Sequence, residues 1–170
     1  FNVFAHTPSM IDFVKCVKKI LDIKGIFIFE AQYLKDILEN DILGTFFHEH
    51  ISHHSVYSLS KLFNSVNLKF EKIENINIQK GSILGFVTHK ENDIKPNFSV
   101  RKFLEKEKKY KINTRGKIIK FYKIIKSNAI NAKKLIDKFQ NISGYGAARS
   151  APTLLRNFGI ENKINYILYD

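Results

Sequence analysis

Four histidines fall within seven residues, His48, His50, His53 and His54, with Glu49 between the first two. Imidazole has an unperturbed pKa of ~6.5, so it can take or give a proton near neutral pH. A carboxylate set between two imidazoles can orient one ring or raise its basicity. Two other readings stand beside this one. The segment can be a polar surface loop with its rings in solvent. It can also be a metal site, since His50, His53 and His54 would share a face if helical, although no second acidic ligand lies nearby in sequence. His6 (NVFAHT) precedes the first helix. Its position puts it at the carboxyl edge of a sheet, the same edge as Glu30 and Gln32, where open α/β sheets place their ligands. His89 has no such support and reads as a solvated strand end.

A second constellation is the late glycine turn Gly144-Tyr145-Gly146, with Arg149 where the dinucleotide fingerprint has its third glycine. Small residues at Ala147 and Ala148 would let backbone N–H groups approach a phosphate at a helix start, and Arg149 would add a charge-assisted contact. A turn kept only for packing explains the same residues. A third candidate is the basic stretch 101–126 (RKFLEKEKKYKINTRGKIIKFYKIIK). Phe103, Leu104, Tyr110, Ile118, Ile119, Phe121, Tyr122, Ile124 and Ile125 give it core-facing surface, and lysine is spread through the whole chain. A solvated helix face is therefore a better reading of it than a nucleic-acid interface.

The elements that must hold these residues alternate in type. Thr7-Pro8-Ser9 starts a helix in which Ile11, Val14, Val17 and Leu21 keep helical spacing. Residues 25–31 (GIFIFEA) form a continuous apolar run that suits a strand covered on both faces. A short helix over 33–39 follows. Beyond the histidine segment come an amphipathic helix over 55–67, with Val56, Leu59, Leu62, Phe63 and Val66 inward, and paired strands over 68–78 and 82–88. Residues 98–139 read as helix, divided near 113–116. The end reads as a strand over 140–145, a helix carrying Leu154 and Leu155, and a strand over 166–169 closing on Asp170, which is the first half of a nucleotide-binding βαβ pattern. The chain thus starts inside one α/β unit and stops inside another, as a fragment would.

Composition narrows the class. The 170 residues are 44% hydrophobic with 15 Phe and 7 Tyr, too apolar and aromatic for disorder. One cysteine, Cys16, excludes an intramolecular disulfide and a thiolate zinc site; it reads as a small buried or half-buried helix residue. No run approaches ~18 uninterrupted apolar residues, and residues 1–10 do not resemble a signal peptide, so the expected setting is cytoplasmic and off the membrane. The net charge of +12 comes mostly from 24 lysines, a bias that an AT-rich genome can impose.

Taken in order, residues 2–6 (NVFAH), 25–33 (GIFIFEAQY), 47–52 (FHEHIS), 55–63 (SVYSLSKLF) and 144–160 (GYGAARSAPTLLRNFGI) resemble S-adenosylmethionine-dependent C-methyltransferases. The resemblance is greatest to those that methylate C3 of nucleotide-linked 4-keto-deoxy sugars. It covers essentially the whole chain and less than half of a family member. It implies an α/β fold: residues 1–40 as the end of a Rossmann-type methyltransferase domain, then 41–170 as the first part of a C-terminal Rossmann-like domain with a long helical segment. It also implies S-adenosylmethionine as cofactor, with the binding loop mostly outside this chain, and zinc only in an N-terminal module absent here. The implied partner is a nucleotide-linked keto sugar. His50 matches the family's base, Glu49 and His48 its supports, and His6 the other histidine of the site. Gly144, Tyr145, Gly146 and Arg149 match the block expected to meet the sugar-linked diphosphate. Phe47 stands where the family has Tyr, losing a hydroxyl that would help polarise the keto oxygen. Arg149-Ser150 replaces Ala-Lys.

Overall fold

A computed structural model describes residues 3–78 and 80–168. Its helices are α1 (Met10–Ile20), α2 (Leu34–Glu39), α3 (Val56–Ser65), α4 (Phe98–Tyr110), α5 (Arg115–Ile136) and α6 (Ala151–Phe158). Its strands are β1 (Phe27–Gln32), β2 (Leu68–Ile76), β3 (Ser82–His89), β4 (Ser143–Tyr145) and β5 (Tyr166–Leu168). The fold is mixed α/β, as the alternation of elements implies.

Three strands form the larger sheet in the order β1-β3-β2, with β3 antiparallel to both neighbours. This corrects the expectation that 25–31 lies in a sheet covered on both faces. The pleat sends Phe29 and Ala31 into the core, while Ile28 on the other face is 48% exposed. The sheet joins residues on both sides of position 40. The parallel strand–helix–strand expected at the end is present as β4-α6-β5, with Ser143 facing Tyr166 in register. Asp170, expected to close it, lies outside the described residues. Gly159 ends α6 in the left-handed region at φ 64°, which a residue without Cβ enters at no steric cost.

The core is built on phenylalanine. Phe4 stacks on Phe29 at 4.4 Å, Phe29 lies against Phe63 at 5.6 Å, and Phe63 meets Phe70 edge-on at 5.2 Å. The Phe29 ring lies across Gly85 of β3, its register partner; a Cβ there would sit 2.4 Å from Phe29 Cε1. Only glycine leaves room for that ring. Because Phe4 is buried in this stack, the short 3-10 turn Phe4–His6 is pinned to the sheet, and His6 with it.

Helix α3 begins on a capping box in which the Ser55 and Ser58 side chains each meet the other's backbone N–H. The N–H groups of Val56 and Tyr57 donate to Glu107 Oε1 and Oε2 at 2.6 and 2.9 Å. Glu107, in a run of lysines that looks solvated, is 2% exposed. It caps α3 from α4, 50 residues away, where the carboxylate also faces the positive end of the helix dipole.

Three further expectations are corrected. His89 is buried and donates from Nε2 to the Leu21 carbonyl at 2.9 Å, tying β3 to the end of α1. Cys16 is exposed. Ile118, Ile119 and Tyr122 of α5 are exposed, because only one stripe of that helix, including Ile125 and Ala129, reaches the core. No helix among the described residues is long and apolar enough to cross a membrane.

Candidate functional site

The histidine segment is not a helix. It is a chain of tight turns laid against the Phe4–His6 turn, so His50, His53 and His54 do not share a helical face. Ile51 N–H donates to the Ala5 carbonyl at 2.9 Å, and Leu34 N–H donates to the His54 carbonyl at 2.9 Å, tying the middle of the segment to the Phe4–His6 turn and its end to the start of α2. The His50 N–H closes a turn onto the Phe47 carbonyl at 3.0 Å. These backbone bonds bring His6 and His50 together from 44 residues apart, with ring centroids 4.8 Å apart and edge to face. Both line a cavity of about 360 Å³, beside Phe47, Glu49, Gln32, Thr45 and Arg149.

His50 is oriented by one contact. Its Nδ1 lies 2.8 Å from the Thr45 carbonyl oxygen. A carbonyl only accepts, so Nδ1 carries the hydrogen and Nε2 keeps the lone pair. Burial holds the pKa of His50 below the ordinary histidine value, and the Thr45 bond opposes that in part. The ring is thus neutral at neutral pH, a state that suits a base. Phe47 packs on it at 4.1 Å and, with no hydroxyl, adds no hydrogen bond.

The other histidines divide by environment. His53 packs on Phe46 at 4.3 Å, and its ring nitrogens have no hydrogen-bond partner among the described residues. Burial, with His50 and His54 adding to it, pushes its pKa down to about 4. His54 is buried with Nε2 3.0 Å from Ser52 Oγ, and burial lowers its pKa too. His48 points outward, its side chain 78% exposed and 3.8 Å from Glu49. Among the described residues no group of three or more His, Cys, Asp or Glu is placed to hold a metal ion.

Glu49 does not support His50 by hydrogen bonding, since Thr45 occupies Nδ1. Its Oε2 accepts instead from Arg149 Nη1 at 2.5 Å, across 100 residues of sequence. That bond holds the Glu49 carboxyl below its ordinary pKa. Arg149 therefore joins the site, but Gly144, Tyr145 and Gly146 do not line the histidine cavity; Tyr145 is 76% exposed. At the edge of β1, Gln32 lines the cavity, while Glu30 is buried outside its wall. The Thr45 carbonyl and Glu107 are the contributions that side-chain patterns could not reveal. The first is backbone, and the second sits in a lysine-rich run.

Residues 77–170, more than half of the chain, match the C-methyltransferase C-terminal domain family. The chain belongs to this family. It is also 27% identical over 161 residues to the C-methyltransferase NovU of Streptomyces niveus, across 92% of this chain and 38% of that protein. It therefore spans well under half the length of that relative. The match takes in both the histidine segment and the block carrying Arg149.

Proposed function

We propose that this chain supplies the acceptor side of the active site in an S-adenosylmethionine-dependent C-methyltransferase, acting on a carbon next to the ketone of a nucleotide-linked keto-deoxysugar. The observation that carries the reading is the His6–His50 pair on one cavity, with His50 held neutral and its Nε2 free to accept a proton. A ketone acidifies the neighbouring C–H. His50 Nε2 takes that proton as the C–H bond breaks, while Thr45 keeps the ring in the required tautomer. The imidazolium formed is favoured by the charge of Glu49 nearby. His6 faces the same space and can hold the oxygen on which charge develops. S-adenosylmethionine, when bound, supplies the electrophilic methyl that the enolate carbon takes. No described residue is assigned to hold that donor; the groups gathered here fit proton transfer and an anionic acceptor.

The domain reading belongs to the same proposal: the end of a Rossmann-type methyltransferase domain, then the first part of a Rossmann-like C-terminal domain. In that reading residues 1–40 close the first unit and 41–170 open the second, with β1, β2 and β3 sharing one sheet across the division. The test is hydrogen exchange on the acceptor. The full-length protein, given a nucleotide-linked 4-keto-6-deoxysugar in deuterium oxide without methyl donor, should exchange the hydrogen beside the ketone, and His50→Ala should stop it. Exchange that persists in His50→Ala removes His50 as the base.

A further inference from the structure

The Glu49–Arg149 pair is part of the lining of the histidine cavity, yet it has the properties of a contact made to be broken. The Arg149 side chain is 72% exposed and that of Glu49 32%, and ion pairs open to solvent contribute little to stability. Arg149 also lines a second cavity, of about 620 Å³, together with His48, Ala147, Ala148, Arg156 and Glu161. Arg156 makes no ion pair among the described residues. Glu161 faces the same space and leaves that cavity without a uniform charge.

A guanidinium fork binds carboxylate and phosphate by the same two parallel hydrogen bonds. Glu49 has no other strong partner, since His50 is oriented by Thr45 and His48 stands 3.8 Å away. We propose that Arg149 is the diphosphate contact of the acceptor site, and that Glu49 occupies it in the free protein as an internal competitor. An incoming diphosphate takes the guanidinium from Glu49 and leaves the Glu49 charge beside His50 without its cation. The unpaired carboxylate then favours the imidazolium that proton transfer produces, so binding of the anion and strengthening of the base are one event. This rests on the reading of the histidine cavity as an acceptor site.

The test uses inorganic pyrophosphate as probe, titrated calorimetrically into the full-length protein. It needs neither methyl donor nor keto sugar, so its failure is distinct from a failure of the methyltransferase reading. Removing the competitor in Glu49→Gln should tighten pyrophosphate about fivefold, the size of a solvent-exposed ion pair. Arg149→Ala should weaken it tenfold or more. Adding Glu49→Gln to Arg149→Ala should then change nothing, because the competitor has nothing left to compete for. Affinity that is unchanged or weaker in Glu49→Gln overturns the proposal. So does full affinity in Arg149→Ala, which would place the anion on the lysines.

Discussion

His53 makes the packing of the histidine loop measurable through acid. The unfolded chain takes up a proton at this residue near the ordinary histidine value of ~6.5, whereas the folded protein resists it down to about 4. The folded state thus carries the neutral ring. Stability is intact above the unfolded pKa and falls as the pH drops between the two values, where the unfolded state binds more protons. At 1.36 kcal/mol per pH unit the full gap corresponds to ~3.4 kcal/mol. The ring is only partly buried, so solvent screening reduces the expected effect to about 1.5 kcal/mol. Replacing His53 by Phe keeps a ring against Phe46 and removes the proton site. Urea unfolding of wild type and His53→Phe at pH 7.5 and pH 4.5 isolates the term, because His54 and the carboxylates are common to both. The variant should gain about 1.5 kcal/mol on wild type over that interval. A difference that does not change with pH would show that His53 is solvated in the folded protein, and would refute the packed loop.

Three other outcomes follow from the same geometry. The rate of the full-length enzyme, measured as kcat/KM against pH, should be level between pH 7 and 8 and fall only below the ordinary histidine pKa, since burial lowers that of His50 and the base must be neutral. Glu107→Leu should destabilise the protein by roughly 2–3 kcal/mol in urea unfolding, because the first N–H groups of α3 lose a buried acceptor, and Glu107→Gln should cost less. Gly85→Ala should lower stability by about 1–3 kcal/mol in the same assay, because its Cβ would drive into the Phe29 ring.

Local features were the legible ones. Spacing of apolar residues located α1, α3, α4 and the β2–β3 pair. The division of the long basic stretch was expected at 113–116 and falls at 111–114, opening on Lys111, whose left-handed φ of 58° ends α4. His6 stood out by position, whereas among the four clustered histidines His50 was distinguished only by the family resemblance. What sequence could not carry was long-range pairing. The insertion of β3 between β1 and β2 depends on a 50-residue excursion that leaves no local trace. Arg149 was singled out for an anion, yet its present partner, Glu49, lies 100 positions away. Glu107 went unremarked and His89 was misjudged for one reason: each sits among polar neighbours near the end of an element, and only tertiary packing buries it. The tautomer of His50 is set by a backbone carbonyl, which no residue type announces.

The central claim is that His50 removes a proton so that the neighbouring carbon can be methylated. Its most direct test gives the full-length protein S-adenosylmethionine and a nucleotide-linked 4-keto-6-deoxysugar, then weighs the sugar by mass spectrometry. A gain of one methyl group on carbon, lost in His50→Ala while that variant remains folded, is the expected result. Methylation that proceeds undiminished in His50→Ala would contradict it.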